Sequence, residues 1–190
     1  MKTIIFMHGI LGDERTWQPA FPYLPADINA ISYRMLGFGE NGQNIPAEEF
    51  NTAIHAQELI QFCESLKQEK VSIVAWSYSC HVALLAALQA PELFEAIYLY
   101  DCIVPSYGLE NDAEPFKSFS KDLNKMMSPV IKALRTQEDD LIINAFVLAC
   151  SELKIALSDQ DSSIQAIKRT NAHTVSRLLT QSEPSKITPE

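Results

Sequence analysis

The chain has 190 residues, 47% of them hydrophobic, which suits one packed core, with or without an inserted subdomain, and is too apolar for a disordered segment. Its formal net charge is −9 and its Lys and Arg residues are scattered, so neither nucleic acid nor an anionic membrane is an expected partner. No apolar run approaches the ~20 residues of a membrane span.

In chain order, Lys2–Met7 (KTIIFM) reads as a buried strand that ends at His8-Gly9. Ile28–Tyr33 is a second, weaker strand, followed by a loop marked by Gly37, Gly39 and Gly42. Ala47–Lys67 has helical spacing, with Ala56, Leu59, Ile60, Cys63 and Leu66 on one face; His55 in this helix is expected to be solvated. Val71–Ala75 is a third strand, Ser79–Ala90 a helix, and Ala96–Tyr100 a fourth strand. This alternation predicts an α/β fold with a mostly parallel sheet flanked by helices.

Beyond Pro105 the pattern is helical, from Pro115 to Gln181. Phe116, Phe119, Leu123, Met126, Val130 and Leu134 form one apolar stripe, with a break or kink expected at Ser128-Pro129. Ile142, Ala145, Phe146, Ala149 and Leu153 form a second stripe, and Ile164, Ile167, Val175, Leu178 and Leu179 a third. The organisation expected is therefore a core over 1–105, a helical cap over 106–181 and a loosely held tail over 182–190. The four cysteines, Cys63, Cys80, Cys102 and Cys150, form no C-x-x-C pair and are expected as buried free thiols. The N-terminus carries no signal-peptide pattern, so a soluble cytoplasmic protein is expected.

Chemistry concentrates at the strand ends. Ser77 stands between the third strand and a helix, flanked two residues away by the small Ala75 and Ser79. A serine in such a sharp turn projects its hydroxyl from the sheet edge, in the geometry of a nucleophile elbow. The N–H of Tyr78, at the helix start, is a candidate oxyanion donor. His8-Gly9 ends the first strand, where Gly9 permits a turn toward the same edge and Ile10 offers a second N–H. Gly37-Phe38-Gly39 lacks the third glycine and the Lys-Ser/Thr of nucleotide loops, so no nucleotide is expected. Neither paired Cys/His spacing nor H-E-x-x-H occurs, and no metal or other cofactor is expected.

Taken in register, these motifs resemble the N-terminal part of the α/β-hydrolase fold family. His8-Gly9 matches its oxyanion loop, Leu36-Gly37-Phe38-Gly39 its glycine loop, Ala75-Trp76-Ser77-Tyr78-Ser79 its G-x-S-x-G elbow, and Pro91-Glu92-Leu93-Phe94 the turn before the next strand. The resemblance covers about Lys2 to Pro105, and the helical region then resembles the family's cap. It implies a serine hydrolase, carboxylesterase-like, acting on small or medium ester-type substrates through an acyl-enzyme at Ser77, with His8, Gly9, Ile10 and Tyr78 around the oxyanion. A serine rather than an aspartate nucleophile argues against dehalogenase or epoxide hydrolase chemistry. The cap's Phe116, Phe119, Met126, Met127 and Phe146 could line an acyl pocket.

The sequence also departs from the family. Ala75 and Ser79 replace both elbow glycines, Cys80 follows them, and Arg34 stands where an aspartate is frequent. The family's acid and histidine follow two further strands, which are not visible here, so the chain reads as an N-terminal two-thirds of such a domain. His173 is the base candidate and Asp101, ending the fourth strand, the acid candidate. The alternative expectation is an inactive, truncated hydrolase or pseudoenzyme acting by binding or self-association.

Overall fold

A computed structural model describes residues 1–102, 112–152, 154–181 and 187. Four strands, β1 (Lys2–Met7), β2 (Ile28–Tyr33), β3 (Val71–Trp76) and β4 (Phe94–Tyr100), form one sheet in the order β2-β1-β3-β4, every pair parallel. Ile5, Met7, Ile73 and Ala75 of the two central strands are wholly buried, each large side chain contributing about 1.5–3 kcal/mol to folding. The chain first winds outward from β1 to β2, then crosses back to β3 on the other side. The carboxyl ends of β1 and β3 therefore flank a topological switch point, where open α/β sheets bind ligands.

Helix α1 (Thr52–Ser65) starts where Asn51 Oδ1 accepts the Ile54 N–H at 2.9 Å. The expected start at Ala47 is instead a 3-10 turn, Ala47–Glu49. His55 is not solvated: it is fully buried, its Nε2–H donating to Leu36 O at 2.9 Å and its Nδ1 lying 3.1 Å from the Tyr78 hydroxyl. Helix α2 (Tyr78–Gln89) is buried along most of its length, packed between the sheet and α1.

Four more helices follow: α3 (Ala113–Leu134), α4 (Asp139–Cys150), α5 (Ser162–Thr170) and α6 (His173–Thr180). The expected break at Pro129 does not occur, and α3 runs through it. Met127 and Val130, either side of the proline, are buried where α3 packs on α4, and this packing outweighs one lost backbone hydrogen bond. Phe116, Phe119, Leu123 and Met126 form an exposed face instead of a buried one. The thiols also divide: Cys63 and Cys80 are buried, whereas Cys102 and Cys150 are exposed, and all four are free. The expected core–cap boundary at 105/106, Leu153 and, apart from Ile187, the tail from 182 to 190 lie outside the described residues. Among the described residues no helix is long and apolar enough to cross a membrane.

Candidate active site

Ser77 has φ 56° and ψ −118°, a conformation that costs an L-residue about 1–3 kcal/mol and persists only when its surroundings hold it. They hold it firmly. The Ser77 N–H donates to Tyr100 O of β4 and the Ser77 carbonyl accepts the Cys80 N–H, both at 2.9 Å. Ser79, in place of a glycine, is fully buried; its Oγ accepts the Trp76 N–H at 3.0 Å and lies 3.0 Å from Trp76 O and 3.3 Å from Met7 O. The substituted elbow is thus tied by its own hydroxyl to the ends of β3 and β1. Leu11 (φ 64°) and Asp101 (φ 52°) also have positive φ, so strained residues follow β1, β3 and β4 at one edge.

Gly9 brings the loop after β1 against this serine. A Cβ on Gly9 would stand 3.1 Å from Ser77 Cβ and 3.3 Å from Trp76 O, so even a methyl group would need its neighbours to give by a few tenths of an ångström. The loop's donors are largely committed. Gly12 N–H donates to Gly9 O at 3.1 Å, Leu11 N–H to Thr174 Oγ1 at 3.2 Å, and Asp13 N–H to Thr16 Oγ1 at 3.2 Å. Among the described residues the Ile10 N–H has no acceptor, and the Tyr78 N–H opens α2, where no intrahelical acceptor exists.

His8 is part of the scaffold of this loop. It is fully buried, its Nδ1–H donates to Gly9 O at 3.0 Å, and its Nε2 accepts the Met35 N–H at 3.4 Å. Burial lowers its pKa to about 4, so the ring is neutral at physiological pH. His173, the first residue of α6, sits at the glycine loop. Its Nε2 is 2.9 Å from Gly37 O, and a Cβ on Gly42 would approach that nitrogen to 3.0 Å while striking Gly37 O at 2.5 Å. Burial also lowers the His173 pKa. His81 is buried within α2. Asp101 is exposed at the end of β4, and its charge raises the pKa of Cys150, behind the larger effect of burial. The structure therefore brings together Ser77, Gly9, Ile10 and Tyr78. Among the described residues, His173 and Asp101 form no hydrogen bond to Ser77 or to each other. No three His, Cys, Asp or Glu among the described residues converge as a metal site requires.

Three features were missed in the sequence. Asn171 is fully buried between α5 and α6; its Oδ1 accepts the Gly39 N–H at 2.7 Å and its Nδ2 donates to Asp13 Oδ2 at 2.7 Å and Ile167 O at 2.9 Å. Burial pushes the Asp13 pKa up, but hydrogen bonds from Arg15 and Asn171 outweigh it and hold the carboxyl below its usual range. Asn171 and Thr174 together strap the helical region to the loops after β1 and β2. The third is a cavity of about 790 Å3 beside the elbow, bounded by Ile10, Trp17, Trp76, Tyr100, Ile164 and Ile167. None of the cap aromatics and methionines expected to form an acyl pocket lines it. A hollow of about 540 Å3 between the glycine loop and α1 does not adjoin the elbow.

The parallel sheet, with a strained turn after β3 set against the Gly9 loop, has the form of the α/β hydrolase fold, and the chain belongs to that family, whose model matches residues 2–177. Among curated proteins it is similar to a probable alcohol acetyltransferase of Wickerhamomyces anomalus, 26% identical over 140 residues, covering 73% of this chain and 39% of that protein. It is also similar to ethanol acetyltransferase 1 of Kluyveromyces lactis (29% identical, 70% of this chain, 33% of that protein) and to strigolactone esterase RMS3 of Pisum sativum (27%, 60% and 43%). The matched stretch thus covers only 33–43% of the length of these relatives. Among solved structures, the epoxide hydrolase CorEH matches with a TM-score of 0.63 at 16% identity, over 95% of this chain and 67% of that one. A hydrolase from Oleispira antarctica matches at 0.55 and 17%, over 92% and 65%.

Proposed function

We propose that this chain carries a serine acyl-transfer site with Ser77 as nucleophile. The observation that carries it is the Ser77 backbone, at φ 56° and ψ −118°, with Gly9 held where even a methyl group would stand 3.1 Å from the serine Cβ. In this reading Ser77 Oγ attacks the carbonyl carbon of a small or medium ester and its proton passes to a base. The Ile10 and Tyr78 N–H groups stabilise the tetrahedral oxyanion, the base hands its proton to the leaving oxygen so that an alcohol departs, and an acyl group remains on Ser77. Water then releases the acid. The names of the acetyltransferase and esterase relatives, both acyl chemistries, support this class, and an acceptor alcohol could replace water.

His173 is the base this reading names. With Nε2–H donated to Gly37 O, its Nδ1 keeps the lone pair that proton transfer needs. Asp101 remains the acid candidate.

A second reading, a binding protein on a hydrolase scaffold that acts without turnover or by self-association, is favoured by one observation. The described hydrogen bonds of His173 run to Gly37, not to Ser77. Fluorophosphonate labelling separates the two. Stoichiometric labelling of the wild type at Ser77, abolished in Ser77→Ala and slowed about a hundredfold or more in His173→Ala, supports the enzyme. A folded chain that takes no label supports the binding protein, and unchanged labelling of His173→Ala removes that residue as base.

A further inference from the structure

The cavity beside the elbow has a charge pattern opposite to that of the chain. The protein carries a formal net charge of −9, yet among the described residues the cavity is lined by two cations, Arg15 and Lys168, and by no carboxylate. The rest of its wall is largely apolar. Trp17 and Trp76 meet edge to face with centroids 6.4 Å apart, Trp76 and Tyr100 lie 6.3 Å apart, and Ile164 and Ile167 close the side formed by α5.

The two cations differ in their commitments. Arg15 is chelated by Asp13, Nε to Oδ1 at 2.9 Å and Nη2 to Oδ2 at 2.6 Å. Lys168 is half-buried, and no hydrogen bond or ion pair joins it to a described residue. Its sequence neighbour Arg169 shows what a purely structural cation does at this helix end: it points outward and grips Asp140 at 2.7 Å. Burial lowers the Lys168 pKa, and the neighbouring Cys150 thiol offsets part of that lowering. An ammonium held partly out of water beside aromatic walls is a poorly compensated charge, and an anion arriving there would compensate it.

We propose that this cavity binds a monocarboxylate with an apolar body, its carboxylate on Lys168 and its body against Trp17, Trp76 and Tyr100. The volume lies within the range of small-molecule sites. The binding depends on the cavity alone. Only its consequence for turnover, a preference for esters whose acyl part also bears an anionic group, rests on the acyl-transfer reading of Ser77.

The chain contains two tryptophans and both line this cavity, so intrinsic fluorescence reports occupancy directly. Hexanoate and its neutral counterpart hexanamide are titrated into the full chain. Wild type should bind hexanoate about tenfold more tightly than hexanamide. Lys168→Met should erase that preference, Lys168→Arg should keep most of it, and Ser77→Ala should leave it unchanged. Equal affinity of the two probes for wild type, a preference that survives Lys168→Met, or no fluorescence response to hexanoate overturns the proposal. Hexanoate selectivity in a wild type that takes no fluorophosphonate label supports the pocket while removing the acyl-enzyme.

Discussion

At the scale of single residues, the site depends on atoms that are missing or displaced. Gly9 matters because it has no Cβ: a methyl group there meets the Ser77 side chain and the Trp76 carbonyl. Gly9→Ala should keep the fold, at an overpacking cost of about 1–3 kcal/mol, but push the Ile10 N–H off its line to the oxyanion. Loss of one such donor costs about a hundredfold or more in rate, so the fluorophosphonate labelling rate at Ser77 should fall by that factor. An unchanged rate would mean that the Ile10 N–H does not face the reacting oxygen. His8 and His55 matter because they are uncharged. Burial holds each near a pKa of about 4, well below the ordinary 6.5, and the proximity of His8 adds slightly to the lowering at His55. Between those values the unfolded chain binds more protons than the native one. Stability is therefore full above pH 6.5 and declines as pH falls toward 4, by about 1.4 kcal/mol per pH unit for each histidine. Urea midpoints measured across this range should drop accordingly, and His55→Gln should flatten the slope; a flat wild-type profile contradicts it.

At the scale of elements, the α5–α6 junction holds two site loops at once. Asn171 satisfies the Gly39 N–H and an Asp13 oxygen, while Thr174 takes the Leu11 N–H. Asn171→Ala strands the Gly39 N–H and the Asp13 oxygen in a buried setting, which should cost about 2–4 kcal/mol in urea unfolding. Asn171→Asp, which sets a second carboxylate against Asp13, should be worse than the alanine; a midpoint equal to wild type would show that the junction does not support the loops. This is also where reading from sequence reached its limit. The runs KTIIFM and INAISY have strand chemistry throughout, and their bounds match those of β1 and β2. The elbow was legible because small residues flank a serine between apolar segments. Asn171 was not legible, because nothing near it in sequence says that its partners lie 158 and 132 residues away. His55 was misread for a related reason: its place in a helix pattern does not show that Leu36 and Tyr78 satisfy both ring nitrogens. In α3 the apolar stripe was real, but spacing alone cannot tell which part meets α4 and which faces outward.

At the scale of the whole molecule, the sheet's reversal of direction places the glycine turn after β1 and the serine turn after β3 side by side. The helices after β4 contribute the junction over those turns and one wall of the adjoining cavity. In the acyl-transfer reading the class of chemistry is lodged in the N-terminal half, and the selectivity proposed for Lys168 in the C-terminal half. Substitutions in α5 are expected to change which ligands bind without altering the elbow, and Lys168→Met is the case already set out.

The reach of the Asn171 and Thr174 contacts has a temporal side. The sheet and the elbow need only the first hundred residues, whereas the loop that presents Ile10 is secured by side chains more than 150 positions later. Contacts of such sequence separation form late, and domains emerge from the ribosome N-terminus first. A nascent chain would therefore display its strained serine before the opposing amide is fixed, and that fixing would wait until α6 has emerged and packed.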